Sequence, residues 1–117
     1  MTPDEMKKRL RDFALRCVRL AASFPRTPVG NVVGHQLIRS ATGAASNYRA
    51  ACIGRSRADF ISKMGIVEEE ADESVFWIDF APDAGLVPRR RVTSLLDEGM
   101  EIVKIVAKSR ITAKSRR

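Results

Sequence analysis

The 117-residue sequence predicts an all-α fold, specifically an antiparallel up-down-up-down four-helix bundle. Three observations predict it. Four stretches carry apolar residues in alternating steps of three and four, and short segments rich in Pro, Gly and capping residues separate them. Only 6% of residues are aromatic, which suits helices packed through Leu, Ile, Val and Ala better than a β-sandwich.

The first helix opens with Thr2-Pro3-Asp4-Glu5, a capping box with proline at the first helical position. Met6, Leu10, Phe13, Cys17, Leu20 and Phe24 then form a seam, and Pro25-Arg26-Thr27-Pro28 ends it and caps the next helix. The second helix is expected from Pro28 or Asn31 to Ile53, with Gly34, Ile38, Ala41, Ala45, Tyr48 and Cys52 on its seam. Its opposite face shows Gln36, Ser40, Gly43, Asn47 and Ala50, where a solvated helix normally carries charge. Glycine inside a helix costs about 1 kcal/mol against alanine unless close approach compensates. This face therefore predicts a second contact surface, most economically another subunit.

Gly54 reads as a C-cap and Ser56-Arg57-Ala58-Asp59 as a second capping box, so the second and third helices are antiparallel neighbours. The third places Phe60, Met64, Val67, Ala71, Ser74 and Ile78 on its seam. Lys63, Glu70 and Trp77 run along one edge with Glu73 beside them, and Glu69, Asp72, Phe76 and Phe80 lie on the far side. Pro82-Asp83-Ala84-Gly85 reads as a turn. Pro88 is expected to start a fourth helix with Val92, Leu95, Gly99, Ile102 and Val106 inward. The apolar pattern fades after Ser109, giving a bundle over 1–109 and a basic, disordered tail over 110–117.

Charge is sorted along the chain, whose formal net charge is +7. No acid occurs between Asp12 and Asp59, while Arg16, Arg19, Arg26, Arg39, Arg49, Arg55 and Arg57 all fall there. From Asp59 to Asp83 eight acids face Lys63 alone, and the chain then turns basic again. No run approaches the ~18 apolar residues of a membrane span, and the charged N-terminus is not a secretory signal. A cytoplasmic protein with two buried, unpaired thiols, Cys17 and Cys52, is the expectation.

Glu68-Glu69-Glu70-Ala71-Asp72-Glu73 invites a di-metal reading, since carboxylates such as Glu69 and Glu73 at i and i+4 can share an ion. Bundle sites of that class need paired Glu-x-x-His motifs, and the sequence has a single histidine, His35, with no acid three positions before it. No Cys-x-x-Cys, phosphate loop or nucleophile elbow is present. No cofactor and no catalytic residue are expected. Ion pairing is the better account: Arg39, Thr42, Ser46 and Arg49 form a polar stripe on the second helix, and Glu70 and Glu73 stand opposite. The remaining basic residues, Arg55, Arg57, Arg89, Arg90, Arg91, Lys104, Lys108, Arg110 and Lys114, form a candidate sequence-independent nucleic-acid surface. The alternative is a protein-protein interaction module whose basic residues serve solubility.

Gln36-Leu37-Ile38-Arg39-Ser40-Ala41, Ala45-Ser46-Asn47-Tyr48-Arg49-Ala50, Arg55-Ser56-Arg57-Ala58-Asp59-Phe60-Ile61-Ser62-Lys63 and Glu70-Ala71-Asp72-Glu73 with Trp77 together resemble a bacterial family. It is the group of small four-helix-bundle proteins related to those encoded in intervening sequences of large-subunit ribosomal RNA genes. The same superfamily includes the accessory variability protein of diversity-generating retroelements. The resemblance spans Phe13 to about Val106, and departs from the family pattern at Cys52-Ile53-Gly54 and Phe80-Ala81-Pro82-Asp83. It implies a homopentameric ring and a basic surface that engages nucleic acid and, in the retroelement member, a reverse transcriptase. It marks Arg39, Asn47, Tyr48, Arg49, Ser56, Phe60, Lys63, Glu70 and Glu73 as family positions, with Trp77 beside them, and gives none a catalytic role. These positions are read as pairing groups of the bundle and its assembly.

Overall fold

Helix formation begins where the capping residues place it. The structure, a computed structural model describing residues 1–116, has α1 at Pro3–Ala22, α2 at Pro28–Cys52, α3 at Arg57–Asp83 and α4 at Thr93–Ser115, with a short 3-10 turn at Arg89–Arg91. The Glu5 backbone N–H donates to Thr2 Oγ1 (3.2 Å) and the Thr2 N–H donates to Glu5 Oε1 (3.0 Å), completing the capping box. Thr27 caps α2 and Ser56 caps α3 through the N–H groups of Gly30 and Asp59 alone; the expected second box is not closed, because the Asp59 carboxylate accepts from the Arg55 N–H and Lys63 instead of the Ser56 N–H. The helices run alternately up and down, and the body measures 48 × 21 × 20 Å.

Each helix buries one stripe, and on α1, α3 and α4 the stripe is the expected one. Met6, Leu10, Phe13, Cys17, Leu20 and Phe24 are buried against Met64, Val67, Ala71, Ile78, Val92, Leu95, Ile102 and Val106. The stripe on α2 is broader than expected and shifted to one side. Gly34, Ala41 and Tyr48 of the expected seam are buried, and Val33, Leu37, Ser40, Ala44 and Ala51 are buried with them, whereas Ile38 is 38% exposed and Ala45 and Cys52 are half-buried. The cause is topological: α2 packs closely on both α1 and α3, so its inward direction bisects the two contacts.

This corrects the origin of the small-residue face. Ser40 and Gly43, expected to meet another subunit, lie against α3 of the same chain. Ser74 Oγ lies 2.9 Å from Ser40 Oγ and 2.9 Å from the Glu70 carbonyl, and the Ser40 hydroxyl donates to the Leu37 carbonyl (3.2 Å). A Cβ at Gly43 would stand 2.4 Å from Glu70 Oε2. Close approach, not an exposed surface, accounts for these residues.

Three boundaries also differ. α3 carries Pro82 inside its last turn and ends at Asp83, and the turn is completed by Gly85 at φ 75°. Gly54 has no positive φ; its missing Cβ instead leaves room for the Asp59 carboxylate, 2.6 Å from where that atom would sit. The segment after Pro88 makes a 3-10 turn before α4 starts at Thr93. At the other end α4 continues to Ser115, past the expected boundary at Ser109. Lys, Arg and Ala are strong helix formers, and Arg110 is anchored to Glu68 on α3 (2.8 Å). Arg117 of the expected tail lies outside the described residues.

α1 and α4 approach each other less closely than the other neighbours, and an ion pair closes that seam. Arg9 Nε and Nη2 donate to Glu98 Oε2 (2.8 Å) and Oε1 (2.7 Å), a bidentate pair with both side chains about three-quarters covered.

Two stability predictions follow from this packing. Gly65 has nothing within 4 Å of the Cβ it lacks, while a Cβ at Gly99 would meet Val75 Cγ2 at 3.0 Å and Phe13 Cε1 at 3.2 Å. Gly65→Ala is therefore expected to raise the unfolding free energy by about 0.5–1 kcal/mol, and Gly99→Leu to lower it by about 1–3 kcal/mol, as read by urea denaturation. The hydrogen bond from Arg9 holds the Glu98 carboxyl below its ordinary value of 4.5, against the opposing effect of burial. A lowered folded pKa means that the stabilisation is complete above the unfolded value and is lost as pH falls through the folded one. Denaturation midpoints measured downward from about pH 5 should decline in the wild type, and Glu98→Gln should flatten that decline while lowering stability at neutral pH.

Candidate nucleic-acid interface

The acidic cluster divides into groups with separate partners. Arg39 lies on the outer edge of α2 and reaches over Gly43 to α3. Its Nη1 stands 3.4 Å from Glu70 Oε2, and its Nη2 donates to Glu73 Oε2. The Trp77 indole N–H donates to the same Glu73 carboxylate (3.1 Å). Burial raises the Glu73 carboxyl, but the Trp77 and Arg39 hydrogen bonds outweigh it, and the group stays ionised below the usual carboxylate range. The expected pairing of Arg39 with Glu70 and Glu73 is thus made within one chain.

Other members of the pairing group go elsewhere. Arg49 does not reach the acids; it is exposed and, with Lys7, Arg11, Thr42 and Ser46, lines a groove of about 380 Å³ between α1 and α2. The stripe on which it was placed winds from the α3 side of α2 to the α1 side, because 3-4-3 steps drift around a straight helix. Lys63 pairs one turn back with Asp59 (2.7 Å) rather than with the Glu cluster. Asn47 donates to the Gly43 carbonyl (2.8 Å), and Tyr48 is buried beside Met6, Met64 and Val106.

The basic residues fall at two ends of the bundle. At the end formed by the α2–α3 turn and the chain termini, Arg55 sits beside Asp59, Arg57 donates to the Arg116 carbonyl, and Arg110 is held by Glu68. Lys104, Lys108 and Lys114 are exposed there without an ion-pair partner among the described residues, on a helix that also exposes Asp97 and Glu101. At the other end Arg89 bridges Asp79 (2.6 Å) and Asp83 (2.8 Å), which removes it from the free basic set. Arg90 and Arg91 are exposed and unpaired among the described residues.

Sequence reasoning missed two members of this end. Arg16 and Arg19 on α1 come together with Arg91, and with Leu20 and Leu95 they line a cavity of about 230 Å³. Their spacing of three on one helix face was visible in the sequence. What was not visible is that the turn after Pro88 carries Arg91 onto that face.

Val29, Val32, Ile38, Ile53, Ile66, Met100 and Ile111 are exposed around the bundle, and two further apolar surfaces lie beside strong charge. On α3, Phe76 (53% exposed) stacks on Phe80 (40%) with ring centroids 5.7 Å apart, and Trp77 meets both edge-on. Glu69, Asp72, Asp79 and Asp83 are exposed along the same helix. On α1, Leu15 (40% exposed) and Val18 face the groove whose rim carries Lys7, Arg11 and Arg49.

Among the described residues no group of three His, Cys, Asp or Glu side chains is placed to hold a metal ion. Cys17 and Cys52 are free; burial pushes the Cys17 thiol up to about 12, so it stays protonated and inert as a core residue. His35 is exposed at the rim of a surface cavity between α1 and α2. No helix among the described residues is long and apolar enough to cross a membrane.

The fold and most of this sequence have counterparts. A solved structure from Bacteroides thetaiotaomicron, described as a protein of unknown function from the S23 ribosomal protein family, is 29% identical over 94% of this chain and 98% of its own, with a TM-score of 0.85. No curated protein matches the chain. The family model for 23S rRNA-intervening sequence proteins matches residues 4–108, from the first turn of α1 to the second half of α4. With nearly the whole bundle covered, the chain belongs to the 23S rRNA-intervening sequence protein family.

Proposed function

We propose that this protein is a non-enzymatic, homo-oligomeric helical scaffold of the cytoplasm that holds RNA or DNA by its phosphate backbone without reading sequence. The carrying observation is the fate of the charges. The acids nearest the arginines are taken up by Arg39, Arg89, Arg9 and Lys8, whereas Arg16, Arg19, Arg90, Arg91, Lys104, Lys108 and Lys114 have no ion-pair partner among the described residues. Uncompensated arginine and lysine heads on one rigid body supply the counterion-releasing contacts on which sequence-independent binding rests. No helix offers a groove-reading pattern.

A ring of five, which the family resemblance implies, draws support from the two apolar surfaces. A cyclic ring with an odd number of subunits joins two different patches of each subunit, head to tail. The acidic aromatic face of α3 and the basic groove between α1 and α2 are different and complementary in charge. The resemblance to the retroelement accessory protein adds a reverse transcriptase as a protein partner of the same basic surface.

Two measurements test the reading. Light scattering at micromolar concentration should give five times the chain mass, and Leu15→Glu, at an exposed position, should reduce it without lowering helicity; a monomeric wild type would refute the assembly. Affinity for mixed-sequence RNA or DNA should fall by about two orders of magnitude between about 50 and 200 mM salt if three to five phosphates are contacted. Absence of binding at low salt would instead favour the protein-interaction module.

A further inference from the structure

The seam between α1 and α4 changes character along its length. In its lower half Arg9 is locked to Glu98, with Glu101 also acting on the guanidinium. In its upper half α1 presents Arg16 and Arg19, and the 3-10 turn brings in Arg91 from the other side. Leu20 and Leu95, both buried, form the floor of the cavity they enclose. Arg16 Nη2 donates to Ser94 Oγ (3.1 Å), which directs the guanidinium across the seam at the solvent-facing edge.

The nearby carboxylates are each hydrogen-bonded to another cation, although Glu98 also feels the charge of Arg16. Asp12, one turn before Arg16, is bound by Lys8 (2.7 Å); Glu98, one turn after Ser94, is bound by Arg9; Asp79 and Asp83 are bound by Arg89. Arg16, Arg19 and Arg91 therefore have no carboxylate partner among the described residues. Three like charges around one cavity oppose each other, and an anion placed among them is favoured by all three. The apolar floor strengthens that attraction by keeping water from one side. Guanidinium forks match the oxygens of a phosphate group, and a cavity of about 230 Å³ admits one with some of its water.

We propose that the Arg16–Arg19–Arg91 cavity is a phosphate-group site and the principal point at which a nucleic-acid backbone is gripped; the identity of the phosphate donor rests on the reading given under Proposed function. The pairing of this site with Ser94 gives it a fixed geometry that the exposed lysines at the far end of α4 lack.

The test has two arms. In the first, arginine Nε–H resonances of the wild-type protein are followed while tripolyphosphate is added. Saturable shifts at Arg16, Arg19 and Arg91 are expected, and shifts confined to the Lys104 and Lys108 end would overturn the site. In the second, fluorescence anisotropy compares the wild type with an Arg16→Ala, Arg19→Ala, Arg91→Ala triple variant and with a Lys104→Ala, Lys108→Ala, Lys114→Ala control on a short mixed-sequence RNA. The arginine triple should bind at least about tenfold more weakly and lower the slope of log affinity against log salt by about 1, the share of one phosphate, whereas the lysine control should change affinity by less than about threefold. The corresponding Arg→Lys triple, which keeps charge but loses the forks, should fall between the wild type and the Ala triple. An arginine triple with unchanged affinity and slope would overturn the Arg16–Arg19–Arg91 site while leaving nucleic-acid binding intact. A wild type that takes tripolyphosphate at the three arginines but no RNA or DNA would uphold the phosphate site and remove nucleic acid as its source.

Discussion

The close approach of α2 and α3 is the constraint on which the rest of the bundle depends. Ser40, Gly43 and Ala44 on one helix and Ala71 and Ser74 on the other leave little side-chain bulk between the backbones; the Ser40 hydroxyl donates to the Leu37 carbonyl, and the one Ser74 proton has Ser40 Oγ and the Glu70 carbonyl within reach. All buried side-chain polar atoms among the described residues have a partner, so this polar contact carries no desolvation penalty left unmet. The bulk of the core comes from all four helices, with Phe13 and Leu10 of α1, Leu37 of α2, Met64 and Ile78 of α3 and Ile102 of α4 its largest fully buried side chains. A large Leu at Ser40 would force the helices apart, and the ion pairs that bridge their outer edge would lose their reach.

That approach also decides where charge is spent. With no side chain at Gly43, the Glu70 carboxylate folds over the helix crossing and Arg39 reaches both Glu70 and Glu73 from the α2 side. These groups are partly exposed, so their pairing contributes modestly to stability and more to fixing which edges of the two helices meet. The same logic at the α3–α4 turn ties Arg89 to Asp79 and Asp83 and leaves Arg90 and Arg91 unengaged. Local pairing is therefore the mechanism that separates a basic α1–α4 side from an acidic α3 face, and it does so within a single chain.

Much of this was legible in the sequence. The capping residues Thr2 and Ser56 and the seams of α1, α3 and α4 specify element type, direction and inward face, because each of those helices carries an unbroken inward seam. α2 resisted the same treatment. Residues as small as Gly, Ala and Ser carry little hydrophobic contrast, so the seam through Ile38 and Ala45 scored as well as the true one through Leu37 and Ala44. The pairing of Arg39 with Glu70 and Glu73 was readable from complementary charge on adjacent antiparallel helices. Arg16 and Arg19 stand out in the sequence only as part of a basic stretch, not of the candidate surface, because their partner, Arg91, is separated from them by most of the chain and is delivered by a 3-10 turn whose geometry no periodicity encodes.

The position of the arginine cavity relative to the apolar faces has a consequence for assembly. Around the bundle the α1–α2 groove, the α2–α3 edge, the α3 face and the α1–α4 seam follow in order, so a ring joined through the α1–α2 groove and the α3 face leaves the α1–α4 seam uncovered. In the proposed ring each subunit would contribute one phosphate site at the same height on the assembly. A polyanion that engages one cavity is held at high local concentration for the next, and weak individual grips multiply into avidity without new contacts. One cavity of three arginines would be a feeble nucleic-acid site by itself. Repetition by the ring is what would make backbone recognition without sequence reading strong enough to matter, and it ties the two parts of the proposed function to one another: loss of assembly should weaken binding of long strands far more than binding of a single short phosphate compound.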